Sequence, residues 1–167
     1  VFGGIGLQQS SQKSFEAEFL RRIEELENES YVIIEGESRK VGNLHIPDSI
    51  FTQMRAGHFI YIDTPLERRI SIIREEYNTF QEHEKVINIV KSIRGKLGNK
   101  KADELIELYS SGKIDEFIEM LLLDYYDLLY KHSLDKYNYI SVIRNNDTVQ
   151  ASKEVKKSIE DYLLNSQ

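Results

Sequence analysis

Cysteine is absent from all 167 residues, which excludes disulfides, thiolate metal ligands and cysteine nucleophiles within this chain. Missing too are a Gly-x-x-x-x-Gly-Lys-Ser/Thr phosphate loop, a His-Glu-x-x-His metal helix and a Gly-x-Ser-x-Gly nucleophile elbow. The four histidines, His45, His58, His83 and His132, are scattered and fit no metal-ligand spacing, so they read as surface or structural and no metal site is expected. No apolar run approaches the length of a membrane span. The longest, around Met120-Leu-Leu-Leu123, is interrupted by Asp124. With no secretory signal or transit peptide visible, a cytoplasmic address and no membrane partner are the expectation. An excess of positive charge is also lacking: 22 Lys and Arg stand against 28 Asp and Glu, for a net charge of -6. That balance argues against a surface that coats nucleic acid generally.

What is present is an ordinary globular composition, 40% hydrophobic and 30% charged, enough for one domain with a real core and a helical appendage. The most informative stretch is Tyr31-Val-Ile-Ile-Glu-Gly-Glu-Ser-Arg-Lys-Val-Gly42. Four β-formers run into a cluster of charge and stop at a glycine. Such a run predicts a strand buried on both faces, as in a parallel sheet between helices. Open α/β sheets place ligands beyond the carboxyl ends of such strands, which is where Glu35, Glu37, Ser38 and Arg39 fall. Glu35 and Glu37 are two apart and point the same way in an extended segment, an arrangement suited to holding hydrated Mg²⁺ beside a phosphate or to general-base work. An ordinary solvated strand-to-helix loop is the competing reading.

Along the chain, Val1-Phe-Gly-Gly-Ile-Gly6 lacks an initiator methionine and opens in glycine with no element before it, which reads as the start of a piece whose upstream part lies elsewhere. Its glycines could approach a ligand closely. Phe15, Phe19, Ile23 and Leu26 share one face of a predicted helix with Ser14 as its N-cap, ending near Asn28. Pro47 enters a short helix that runs to about Arg55 and stops at Gly57. Phe59-Ile-Tyr-Ile62 is a second buried strand ending in Asp63-Thr-Pro65, and a helix over 66–77 follows with Leu66, Ile70, Ile73 and Tyr77 facing inward. Arg68 and Arg69 occupy its first turn, where the helix dipole disfavours cations, so they point either to an anionic partner or to salt bridges with nearby acids. Helices are predicted over 82–93, 101–109, 113–132 and 147–165, with 137–143 as a possible short strand. Between two of them, Lys91-Ser-Ile-Arg-Gly-Lys-Leu-Gly-Asn-Lys-Lys101 holds five basic residues and no acid. It is either the best phosphate-backbone contact in the chain or a solvated loop.

Taken together, these residues resemble a known family. Phe2-Gly-Gly-Ile-Gly6, Phe15-Glu16 and Glu35-Gly-Glu-Ser-Arg-Lys-Val-Gly42-Asn-Leu-His-Ile-Pro47 resemble the later part of the P-loop domain of bacterial tRNA 2-selenouridine synthases. Leu97-Gly98, Gly112, Glu116-Phe117 and Leu122-Leu-Asp-Tyr-Tyr-Asp127 with Tyr130 resemble the same family's C-terminal helical region, with Leu128 standing where the family's pattern has proline. The resemblance implies an α/β fold: a partial P-loop-type parallel sheet, with strands near 31–35 and 59–62, followed by a mostly helical C-terminal region. It implies a division into residues 1–78, the later part of a P-loop domain without its phosphate loop, and residues 79–167, the helical region.

The activity implied is that of a selenotransferase replacing sulfur by selenium at the 2-thiouridine of the tRNA wobble position, through an S-geranylated intermediate. Selenophosphate and geranyl diphosphate would be its substrates and tRNA its macromolecular partner. An upstream rhodanese-like cysteine domain and a phosphate-loop segment would complete the enzyme. Alone, this chain is expected to be inactive and to bind none of these cofactors. Carried over by position, Glu35, Glu37 and Arg39 would be catalytic, and Ser38, Gly3, Gly4 and Arg68 would contact phosphate or diphosphate. Lys91, Arg94, Lys96, Lys100 and Lys101, with Tyr125 and Tyr126, would contact tRNA by phosphate pairing and stacking. A partial parallel sheet would expose an edge or an apolar face, so self-association is a further expectation. The competing class is a non-catalytic helical module that binds RNA or protein. A nucleoside-kinase-like reading rests on the strand-exit acids and Arg68 and Arg69 alone, and needs a phosphate loop upstream.

Overall fold

The computed structural model describes residues 10–36, 38–76, 82–134 and 136–165. The chain divides into two compact units, one reaching Gly57 and the other beginning at His58. The first unit opens with helix α1 (Gln12–Glu25), whose N-cap is Ser11 in place of the expected Ser14. The Ser11 hydroxyl accepts from the Ser14 backbone N–H at 3.1 Å, so the helix gains a turn at its start. Phe15 and Phe19, one turn apart, meet at a tilted angle with ring centroids at 5.8 Å.

Two short strands follow, β1 (Lys40–Val41) and β2 (Leu44–His45), paired antiparallel. Gly42 bridges them at φ +63°, a conformation a two-residue hairpin turn requires and a side chain resists. The hairpin is pinned to α1 by one side chain. Gln12 donates to the His45 carbonyl at 2.8 Å and accepts from the His45 N–H at 2.9 Å, acting as a short surrogate strand. Among the described residues of this unit, Leu44 and Ile46 are the buried apolar ones. Helix α2 (Asp48–Ala56) runs from Pro47 as N-cap to Gly57 as C-cap, matching its predicted limits.

The predicted strand at 31–35 is corrected. Among the described residues these positions join no strand ladder, and Tyr31, Val32, Ile33 and Ile34 are 40–67% exposed in place of being buried on two faces. The physical reason is that β-formers earn stability only from neighbouring strands, and no described segment pairs with this run.

In the second unit, β3 (Phe59–Asp63) lies where the sequence placed it and pairs in parallel with β4 (Tyr139–Arg144). The register runs from Phe59↔Tyr139 to Asp63↔Arg144. Each strand feeds a helix: β3 leads into α3 (Leu66–Glu76) and β4 into α8 (Thr148–Asn165). Tyr77, expected on the inner face of α3, lies outside the described residues. Between these two strand–helix elements stand α4 (His83–Leu97), α5 (Asn99–Ser110), α6 (Ile114–Leu121), a π-helical turn (Leu122–Tyr126) and α7 (Asp127–Leu134). The α/β class with a small parallel sheet and a mostly helical remainder therefore holds.

The core of this unit is helical. Val86, Val90, Ile93 and Leu97 repeat at helical spacing along α4, which packs on α5 with its buried Ala102, Leu105 and Tyr109, and α5 packs in turn on α6 with its buried Phe117, Ile118 and Leu121. Burial raises the Tyr109 phenol pKa above its ordinary value by desolvating the phenolate. Gly98 and Gly112, at φ +85° and +75°, supply the left-handed breaks that let α4, α5 and α6 fold back on one another. The π turn was not legible in the sequence. It inserts one extra residue into the helical repeat, so Leu122 and Tyr125 stay buried while Leu128 and Leu129 turn out to 57% and 44% exposure. No helix among the described residues is long and apolar enough to cross a membrane.

Candidate functional site

The described polar residues after the exposed run make local contacts within the first unit. Arg39 is anchored within the first unit: its Nη2 meets the Asp48 carboxylate at 2.7 Å and its Nε donates to the Ile46 carbonyl at 3.4 Å. Ser38 accepts from the Lys40 N–H at 3.1 Å, a local turn that starts β1. Ser38, Arg39 and Glu35 are all exposed, and the Arg39–Asp48 pair sits at the surface, so a phosphate could replace Asp48 at small cost. Glu37, Gly3 and Gly4 lie outside the described residues. Among the described residues no group of three or more His, Asp or Glu is placed to hold a metal ion.

The carboxyl ends of β3 and β4 form a second cluster. Asp63 and Arg144 face each other across the register and form an ion pair. Asn145 continues the ladder by donating its N–H to the Asp63 carbonyl at 2.8 Å, and its Nδ2 donates to Thr64 Oγ1 at 3.1 Å. From the first turn of α3, Arg68 Nη2 donates to Thr148 Oγ1 at the start of α8, at 3.2 Å. The two arginines of that turn part ways. Arg69 makes a two-pronged pair with Asp127, at 2.5 and 3.0 Å, so the salt-bridge reading describes it. The Nε of Arg68 and the Oδ1 of Asn145 are both buried with no hydrogen-bond partner. Sequence reasoning marked Asp63, Thr64 and Arg68 but passed over Arg144, Asn145 and Thr148. The signal available was the same strand-exit rule, applied to the segment 139–144.

The basic stretch lies at the corner where α4 hands over to α5 through Gly98. Arg94 pairs with Asp103 at 2.5 Å, and Lys101 pairs with Asp124 of the π turn at 2.7 Å. Lys96 sits over the Tyr125 ring at 5.9 Å. Lys91, within α4, and Lys100, in the first turn of α5, are exposed. Tyr125 is only 6% exposed, which leaves little of its ring surface for a base. Tyr126 is half-buried and runs nearly parallel to Tyr130, with centroids at 6.4 Å. Arg94, Lys96 and Lys101 make their contacts around the α4–α5 corner, and Arg68 makes its contact at the strand exit.

Comparison with known proteins adds the following. A family model described as the tRNA 2-selenouridine synthase AAA domain matches residues 1–162. The chain is similar to the tRNA 2-selenouridine synthase of Hydrogenovibrio crunogenus, at 26% identity over 81% of this chain and 44% of the relative. It is similar to the tRNA 2-selenouridine synthase of Proteus mirabilis, at 29% identity over 81% of this chain and 45% of the relative. It is also similar to an uncharacterized protein of Methanocaldococcus jannaschii, at 27% identity over 94% of this chain and 73% of the relative. The chain thus spans less than half the length of the two synthases. No solved structure matches it.

Proposed function

The chain belongs to the tRNA 2-selenouridine synthase AAA domain family, and from that membership we propose that the intact protein is a selenotransferase acting in the cytoplasm on the wobble position of tRNA. The observation that carries this reading is a match running through residues 1–162, across both compact units. In the proposed reaction, geranyl diphosphate alkylates the sulfur of 2-thiouridine and releases diphosphate. The selenium of selenophosphate then attacks carbon 2, the C–S bond breaks as geranylthiol leaves, and water cleaves the Se–P bond to release phosphate and leave 2-selenouridine. A phosphate loop and a rhodanese-like cysteine domain would be supplied from outside this stretch.

Two features of this chain support roles in that scheme. Arg39 and Ser38, exposed and held in a fixed turn, are suited to a phosphate-bearing substrate, with Glu35 as the nearby carboxylate. The α4–α5 corner suits the tRNA backbone. Its Arg94 and Lys101 pairs are surface pairs worth about 0–1 kcal/mol, so exchange for a phosphate is cheap. Lys100 and Lys101 lie in the first turn of α5, whose positive dipole end favours an incoming anion.

The test is nucleoside mass spectrometry on tRNA from cells whose own copy of the gene is deleted and which carry the intact gene or its Arg39→Ala variant. Restored 2-selenouridine with the intact gene, and loss of at least about tenfold with the variant, is expected. No 2-selenouridine from the intact gene would overturn the reading in favour of a binding module.

A further inference from the structure

Gln12, in the first turn of α1, has every hydrogen-bonding group of its side chain engaged. Its Nε2 donates to the His45 carbonyl at 2.8 Å and its Oε1 accepts from the His45 N–H at 2.9 Å, across 33 positions of sequence. The second Nε2 hydrogen goes to Glu16 Oε1 at 2.7 Å, one turn along the same helix. Three hydrogen bonds therefore fix the amide against both α1 and β2. The partner strand leaves that position open to it. In an antiparallel pair, successive residues turn their backbone groups alternately toward the partner and away from it. Ile46 donates its N–H to the Arg39 carbonyl at 2.8 Å, so its neighbour His45 faces the outer edge of the hairpin, where Gln12 takes both of its backbone groups.

Arg39 takes its own anchor from the same stretch. Its Nε donates to the Ile46 carbonyl at 3.4 Å and its Nη2 meets Asp48. Contacts thus run without a break from Gln12 through His45 and Ile46 to the Arg39 guanidinium. The His45 edge is exposed, so water would satisfy its backbone groups if the Gln12 amide were removed, and the loss of stability would be small. What would be lost is the fixed placement of the 45–46 backbone against α1, and with it the aim of Arg39. We propose that Gln12 is a positioning residue for phosphate recognition, fixing through the His45–Ile46 backbone the direction in which Arg39 presents its guanidinium to a phosphate-bearing substrate. This role rests on the reading of Arg39 as a phosphate contact given above, and extends it to a residue on a different element.

The experiment is steady-state kinetics of the intact protein on tRNA containing 2-thiouridine, with geranyl diphosphate and selenophosphate varied in turn. The variants are Gln12→Met, Arg39→Ala and the two combined. Methionine keeps the length of the glutamine side chain and removes its three hydrogen bonds. Gln12→Met should raise KM for a phosphate-bearing substrate at least about fivefold while kcat stays within about twofold, the mark of binding lost through misplacement. Added to Arg39→Ala, it should change that KM by less than about twofold, because its effect passes through the missing guanidinium. Amide exchange at His45 should quicken in Gln12→Met, with the urea midpoint of the 167-residue chain unmoved. An unchanged KM in Gln12→Met, with a raised one in Arg39→Ala, would overturn the positioning role and leave the Arg39 reading standing. Effects that multiply in the double variant would also overturn it, since Gln12 would then act apart from Arg39. Unchanged KM values in Arg39→Ala would overturn the Arg39 reading, and the role of Gln12 with it.

Discussion

The Tyr31–Glu35 run is more densely apolar than the α4–α6 bundle, yet it is the bundle that buries its apolar side chains. In the bundle, Val86, Val90, Leu105, Phe117 and Ile118 are essentially solvent-free. In the run, Ile33 is 67% exposed and its three apolar neighbours are at least 40% exposed. A helix satisfies its own backbone and needs only a neighbour for one stripe, which short glycine turns at Gly98 and Gly112 provide within the same stretch of chain. A β-run needs other strands for both its backbone and its side chains. The bundle is therefore locally self-sufficient, and the run is not.

Three substitutions sharpen this contrast, from large effect to small. Phe117→Ala should destabilise the second unit by about 3–5 kcal/mol, read by urea unfolding, because a fully buried ring leaves a cavity that its neighbours cannot fill. Asp127→Ala should cost about 1 kcal/mol by the same measurement, since it strands the half-exposed Arg69 guanidinium. Ile33→Ser should change stability by less than about 0.5 kcal/mol, as for any exposed side chain without partners to lose. A large loss at Ile33, or a negligible one at Phe117, would break the comparison.

The same contrast explains what could be read from the sequence. The positions of α2, α3, β3 and α8 followed from apolar period, Pro47, Gly57 and the polar residues after Ile62, all of which act locally. The β1–β2 hairpin was missed because its strands are two residues long and are held by Gln12 from 33 positions away. The π turn was missed because nothing in Leu122-Leu-Asp-Tyr-Tyr126 signals an extra residue per turn. Its consequence reached the candidate site: it keeps Tyr125 in the core. The run at 31–34 was read as buried because β-formers record a preference for strands without recording whether strands are at hand. At the strand exit, Arg68 was visible from its unfavourable place in a first turn. Its relation to Asn145 and Thr148, some 80 positions on, depends on the parallel pairing and was not.

The most direct measurement of the central contrast is amide hydrogen exchange, resolved by residue, on the 167-residue chain. Amides of residues 31–35 should exchange within seconds, because no described ladder holds them, while those of Val86–Leu97 and Phe117–Leu121 should be protected by orders of magnitude. Equal protection of the two regions would contradict the account, because the run would then already have the strand partners that this fold does not give it.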